Sequence, residues 1–340
     1  MFRIVADTSS AEWDRFVESN PASTFCHQYG WKEIMQSVLG HEFIPLSAVD
    51  DSGTLRGILP LVRVRSILGH YLISLPFLND GGALGDQGAQ QNLVEYAVAE
   101  TQTSGAGLLE LRARDEVPGP VSPTYRKISV HLSLPEDKEE FWRTTLRAKL
   151  RAQIRRPMKE GMKFRCGLDE LDPFYDVFAR NMRDLGTPVL PKEFFRRGLD
   201  AFGSSVLFAT VSTRLGFPVA GACCLLWRKE LEMTWASSLS EFNHLSPNML
   251  LYAGMMEQAI DRDVKIFNFG RCSPGGSTHR FKQQWGGNDI PLPWASWVRA
   301  DGVGIPSADR RLYQLAVQAW RHLPVAVANR IGPTLARWLP

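Results

Sequence analysis

Two stretches of this 340-residue chain repeat one order of elements, and that repetition limits the possible folds more than any other feature. In the first, apolar runs over 43–49 and 55–64 flank Asp50-Asp51-Ser52-Gly53 and predict a hairpin. A helix over 90–103 and a strand over 108–112 follow, and short helices at 11–18 and 31–39 precede the hairpin. In the second stretch, strands are predicted at 206–211, 219–227 and 231–236. A helix then opens at Ser246-Pro247, with serine as N-cap and proline in the first turn. It carries Leu250, Leu251, Met255, Ala259 and Ile260 at core spacing, ends near Asp263, and gives way to a buried strand over 264–269. The chain is longer than the usual single domain of about 100–200 residues, so two related α/β domains are expected.

Composition narrows the class. With 44% hydrophobic and 22% charged residues the chain is an ordinary globular protein, which excludes a disordered or collagen-like one. No apolar run approaches the ~18 residues of a membrane span. The amino terminus reaches Arg3 and Asp7 without the apolar stretch of a signal peptide, and a cytosolic protein is expected. Five cysteines, none in a C-x-x-C pair, predict free thiols, and no Cys/His spacing predicts a metal site.

The net charge of +3 conceals a cancellation. Residues 143–165 hold nine Lys/Arg against the single acid Glu160, a local +8 that leaves −5 for everything else. Trp142, Leu146, Leu150 and Ile154 fall four apart, with Arg143, Arg147, Arg151 and Arg155 one residue on. A helix here presents an apolar ridge beside an arginine ridge, and Pro157 is expected to end it. The arginine face is either solvated or turned to an anion or an interface, and the lack of compensating glutamates favours the latter two.

The richest stretch for chemistry is Phe267-Asn268-Phe269-Gly270-Arg271-Cys272, a Ser/Pro/Gly loop, then His279-Arg280-Phe281-Lys282-Gln283-Gln284-Trp285-Gly286-Gly287. A buried strand that opens into a flexible loop is a common ligand position in α/β proteins. The planar fork of Arg271 suits a phosphate or carboxylate, and Lys282 offers a mobile point charge for a phosphate or a developing oxyanion. The same residues also fit a surface turn with solvated cations and a core-packing Phe281 and Trp285. His279 is expected to be a solvent-exposed loop residue.

This run resembles the FemAB-like branch of the GNAT acyltransferase superfamily, especially the FemAB-related proteins of PEP-CTERM/exosortase systems. The shared pattern is Asp-Phe-Gly-Arg-Ser, a glycine-rich loop, then Phe-Lys-x-x-Trp-Gly. Phe25-Cys26-His27-Gln28-Tyr29-Gly30-Trp31, the Arg155-Arg156 to Lys159-x-Gly161 element and Leu245-Ser246-Pro247-Asn248 with Leu251-Tyr252 are similar to further family segments, so the likeness spans nearly the whole chain. Asn268 stands where the family has Asp, and Cys272 where it has Ser.

The resemblance implies two tandem GNAT-like domains, each a mixed, mostly antiparallel sheet flanked by helices. Their expected limits are 1–135 and 166–300, joined by a basic helix at 136–165 and followed by a helical tail at 301–340. It implies an N-acyltransferase that moves an acyl or aminoacyl group to an amine in cell-envelope or exopolysaccharide biosynthesis. The alternative is a non-catalytic module that keeps the fold and binds tRNA, an anionic polymer or a partner.

An activated donor brings its own leaving group, so the enzyme needs orientation and oxyanion stabilisation rather than a covalent nucleophile. The catalytic candidates are Lys282, Arg271 and Tyr252. The substrate-binding candidates are Asn268, Arg280, Phe281, Trp285, Asn248, Arg151, Arg155 and Arg156. No tightly bound cofactor is expected; the donor is aminoacyl-tRNA or acyl-CoA. The Gln/Arg-x-x-Gly-x-Gly/Ala turn that cradles coenzyme A is missing, Asn79-Asp80-Gly81-Gly82 being the nearest glycine-rich turn. The tail, with Trp320, Trp338 and several arginines, is expected to dock on the body or to touch an acidic membrane face.

Overall fold

The turn at Asp50 shows how local chemistry starts the fold. Its Oδ1 accepts the backbone N–H groups of Ser52 and Thr54, both at 3.0 Å, and Gly53 takes the left-handed φ of 81° that closes the hairpin. A computed structural model describes residues 2–66, 69–299 and 311–338. Contacts divide these residues into two units, one of 2–127, 291–299 and 334–338, the other of 128–290 and 311–333.

In the first unit, β1 (Arg3–Val5) is followed by α1 (Ser10–Ser19) and by a short helix α2 (Trp31–Glu33) that runs on as a π turn to Val38. The hairpin is β2 (Glu42–Val49) and β3 (Leu55–Ser66). β4 (Gly69–Ser74), which the sequence reading did not anticipate, pairs antiparallel with β3, and the two-residue β5 (Leu84–Gly85) lies against β3 as well. Helix α3 (Gln87–Thr103) then carries the chain across to β6 (Leu108–Leu111), parallel to β4. Parallel neighbours need such a crossover. Ala89, Leu93, Val94 and Ala97 form the buried stripe of α3, and Gly57 lets it approach closely, since an added Cβ would lie 2.9 Å from that of Ala89. Leu93 is fully buried, so truncation to alanine costs about 2–5 kcal/mol.

The second unit opens within β7 (Ser122–Ser133), whose residues from Ile128 belong to it. After the short α4 (Lys138–Glu140) and a π turn to Thr145, Leu146 adopts an extended conformation, and α5 (Ala148–Lys159) starts beyond Arg147. The expected single helix through Trp142, Leu146 and Leu150 is therefore broken. The guanidinium of Arg151 explains the break, since it donates to the carbonyls of Trp142 at 3.1 Å and Leu146 at 2.6 Å, which helix would otherwise satisfy. Nor does Pro157 end α5; it sits in the last turn, and Gly161 at φ 77° provides the stop. The basic segment 143–165 thus falls inside the second unit.

The chain continues through β8 (Lys163–Cys166), α6 (Leu171–Leu185), α7 (Lys192–Phe202), and the antiparallel strands β9 (Val206–Ser212), β10 (Pro218–Trp227) and β11 (Glu230–Ser238). Helix α8 (Pro247–Ile260) crosses to β12 (Ile266–Cys272), which pairs parallel with β11 and antiparallel with β7. Hairpin, helix and strand recur as the sequence predicts, and in both units the last strand pairs parallel with its neighbour. Eleven of the fourteen residues of α8 are buried, so it is an inner helix, apolar on all sides. Its Gly254 lies under Phe164, whose ring would meet an added Cβ at 2.6 Å.

A two-turn helix α9 (Ser277–Gln283) leads to β13 (Asn288–Val298), whose residues Ala295–Val298 pair with β6 and complete the strands of the first unit. Of the tail expected at 301–340, residues 301–310 and 339–340 lie outside the described residues. The rest forms α10 (Arg311–Arg321) and α11 (Val325–Ala336). α10 rests on α6, where Gly186 at φ 78° leaves room for Val317.

Candidate active site

The two parallel strands of the second unit part company early. β11 pairs with β12 only over Glu230–Glu232, after which β11 keeps β10 alone as its neighbour and β12 keeps β7. A cavity of about 800 Å³ lies at the end of β11, walled by Ala236–Ser238, the first two turns of α8, α9, Gln153 of α5, and Asn181 and Leu185 of α6. Its surface is rich in neutral amides and hydroxyls. Asn248 donates to Ser238 Oγ at 2.9 Å and Asn181 donates to Ser237 Oγ at 3.1 Å, which tie α8 and α6 to the strand. Ser246, at φ 61°, turns the chain into Pro247 and so aims the start of α8 at the cavity. Arg280 is the one charged residue in the wall among the described residues, held by a 2.7 Å bond to the Gly275 carbonyl.

Tyr252 reaches the cavity from a packed aromatic group. Its ring stacks on Phe269 at 5.7 Å and Trp285 at 6.0 Å and meets the edge of Phe281 at 5.0 Å. Burial pushes its hydroxyl well above the ordinary tyrosine range, so it is a neutral phenol at any physiological pH.

Lys282 is not the mobile charge its residue type suggests. It is 3% exposed, and its Nζ donates to the carbonyls of Gly270 at 2.7 Å and Arg271 at 3.0 Å. Those carbonyls lie beyond the last β11–β12 pair, so the lysine supplies donors that the departing strand does not. Burial lowers its pKa to about 8, against the opposing pull of Cys272 and Glu232, and Arg271 lowers it further.

Asn268 uses both ends of its amide. Oδ1 accepts from Ser129 Oγ at 2.6 Å and the Gly270 N–H at 2.8 Å, while Nδ2 donates to Glu230 at 2.8 Å. An aspartate could not make the last bond, which accounts for the amide in this chain. His279 is buried rather than exposed: its Nδ1 accepts the Gly275 N–H at 3.0 Å and its Nε2 meets the Asp289 carboxylate at 2.9 Å, fastening the glycine loop to α9.

Tyr252, Asn248, Arg280 and Phe281 thus share the cavity wall. Lys282, Asn268 and Trp285 are buried, Arg271 is half-buried at the end of β12, and none of the four is in the wall. Arg151 turns inward to backbone carbonyls, whereas Arg155 and Arg156 are exposed on α5. The polar wall residues that the sequence did not single out are Gln153, Asn181, Ser237, Ser238 and Asn243. Ser237-Ser238 just before the Ser246-Pro247 helix start was the one cue to them. Among the described residues no group of three or more His, Cys, Asp or Glu could hold a metal ion.

Residues 144–283, which carry this cavity, match the acetyltransferase (GNAT) domain family. The fold is similar to that of FemX, with two GNAT-like domains. The FemX crystal structure superposes with a TM-score of 0.65 over 93% of this chain and 100% of FemX, at 13% identity. The C-terminal domain of a putative lysylphosphatidylglycerol synthetase from Agrobacterium fabrum gives 0.57 at 15% identity, covering 86% and 94% of the two chains. A tandem GNAT protein from the clavulanic acid biosynthesis pathway gives 0.54 at 10% identity, covering 88% and 98%. No curated protein sequence matches the chain.

Proposed function

We propose that the chain transfers an acyl or aminoacyl group from an activated ester or thioester to an amine in cell-envelope or exopolysaccharide biosynthesis, acting in the cytoplasm. The observation that carries this reading is the cavity where β11 ends, with the Tyr252 phenol and Arg280 in one wall. The amine attacks the donor carbonyl, and the tetrahedral oxyanion needs hydrogen-bond donors already in place. Tyr252, kept protonated by burial, donates to the oxyanion or to the leaving group. The positive end of α8 and Arg280 attract the anionic part of the donor. Lys282, with Nζ committed to the Gly270 and Arg271 carbonyls, fixes the exit of β12 and enters as a positioning residue, with Arg271 beside it.

Eight of the nine cations of 143–165 are exposed, and none of the eight makes an ion pair among the described residues. That favours a polyanionic donor, aminoacyl-tRNA ahead of acyl-CoA. The motif likeness to FemAB-related proteins of PEP-CTERM/exosortase systems supports the exopolysaccharide setting. The tail segment 311–338 has four arginines and no acid, which supports contact with an anionic membrane face.

The exclusion of Lys282 and Arg271 from the cavity wall favours a second reading, a binding module without catalysis. Transfer of labelled acyl groups from both donors to amine acceptors decides between them. Tyr252→Phe and Arg280→Ala should each lower turnover at least about tenfold while leaving the circular dichroism unchanged. Turnover equal to wild type in both variants would falsify the assigned roles, and transfer from neither donor favours the module.

A further inference from the structure

Two sequence motifs left unused by the cavity meet in the first unit. Thr24 opens the 3₁₀ turn Phe25–His27, and its Oγ donates to the Asp80 carbonyl at 3.0 Å. His27 Nδ1 accepts the Thr24 N–H at 3.0 Å, so Nε2 carries the proton and donates to the Gly82 carbonyl at 3.1 Å. Complete burial holds this imidazole neutral, with a pKa near 4. From the other side the Gly81 N–H donates to the Arg112 carbonyl at 2.7 Å, and Gly82 lies so close to Ala113 that an added Cβ would come within 2.6 Å of its methyl. The Asn79-Asp80-Gly81-Gly82 turn is therefore clamped on two sides, and it has no freedom to turn its carboxylate to water.

Against this turn lies a pocket of about 60 Å³, walled by Thr24, His27, Asp80, Arg114, Asp115 and Glu116 among others. Asp80 is 3% exposed. Its Oδ2 accepts from Arg114 Nε at 2.7 Å, but no donor of the protein reaches its buried Oδ1. The Thr24 hydroxyl cannot serve, its proton being committed to the Asp80 backbone. A buried carboxylate oxygen without a donor is costly, and its natural complement is a ligand N–H or O–H. Three carboxylates against one guanidinium, beside a neutral histidine, make the wall negative, so the complement is a cation. At roughly 10–15 Å³ for each water-sized sphere, the volume admits a head group of a few heavy atoms and no nucleotide.

We infer that this pocket is a binding site for a primary ammonium group on a short stem, with Asp80 Oδ1 as its acceptor. The site lies in the first unit and does not rest on acyl transfer by the second, because occupancy is read without any donor. A ligand of about four heavy atoms reaches at best a Kd of tens of micromolar, so the expected range is roughly 0.1–10 mM.

The experiment is saturation-transfer NMR on the full chain with methylammonium and ethanolamine, and with tetramethylammonium as a cation that has no N–H. Binding of the first two but not the third is expected. Asp80→Asn keeps the shape of the side chain and should weaken binding at least about tenfold. The rim double variant Asp115→Asn/Glu116→Gln, which touches only exposed carboxylates, should weaken it about threefold and serves if the first variant does not fold. Three results each overturn the assignment: no binding up to roughly 50 mM, far above the expected range; equal binding of tetramethylammonium; or equal affinity in wild type and the folded variants. The first means that the orphan oxygen is met by water alone.

Discussion

Replacing Lys282 with methionine separates the cost of burying a charge from the benefit of the bonds it makes. The folded chain holds this lysine at a pKa of about 8, against 10.5 for an unburied one. Below pH 8 both folded and unfolded states are protonated, and the folded state bears the whole penalty, about 3 kcal/mol at ~1.4 kcal/mol per pH unit. Between the two values the unfolded chain binds more proton, so stability rises with pH as the penalty fades. The linkage relation gives a gain of about 2.5 kcal/mol between pH 7 and pH 10. The neutral amine still has two N–H donors for the carbonyls of Gly270 and Arg271, so those bonds persist throughout. Lys282→Met removes the charge and the donors together, and each stranded carbonyl costs about 1–3 kcal/mol. At pH 7 the two effects roughly cancel. At pH 10 only the loss remains. Urea unfolding of both proteins across this range, compared as a difference so that other titrating groups drop out, should show the wild type gaining about 2.5 kcal/mol on the variant. A difference that stays flat with pH would mean that Lys282 is not desolvated in the fold.

Asn268→Asp should destabilise the protein by about 1–3 kcal/mol, because it sets a carboxylate against Glu230 and removes the donor between them. Adding Glu230→Gln should restore most of that loss in the denaturation midpoint. Arg155→Gln/Arg156→Gln should leave stability within about 0.5 kcal/mol, since both side chains are exposed on α5. If the basic segment holds a nucleic acid, titration at several salt concentrations will show the slope of log K against log salt reduced by about 1.4–1.8.

The elements legible in the sequence are those whose chemistry is local. The Asp50 to Gly53 turn carries its own hydrogen bonds, and Ser246-Pro247 marks the start of α8 to the residue. The run from Phe267 into the glycine loop led to α9 and to five of the wall residues. What stayed hidden depends on side-chain contacts that no helix or strand periodicity encodes. The burial of His279 needs Asp289, the fixing of Lys282 needs the turn of β12 away from β11, and the break at Leu146 needs the reach of Arg151. Gln153, Asn181 and Asn243 are neutral amides with no motif of their own, and they become a site only once α5, α6 and the segment before α8 converge. Helix α6 is different. Its Leu171, Phe174, Val177 and Phe178 lie at helical spacing, with Pro173 in the first turn where proline is tolerated, so the pattern was there to be read.

The pairing of Ala295–Val298 with β6 bears on how the protein is made. A ribosome that has released residues 1–127 has delivered every other strand of the first unit, yet Leu108–Leu111 still presents an apolar row of unpaired backbone groups. The strands of the second unit are all synthesised before the missing partner arrives. The first unit therefore closes last, and until it does its open edge is the place where a nascent or truncated chain will pair with a neighbour.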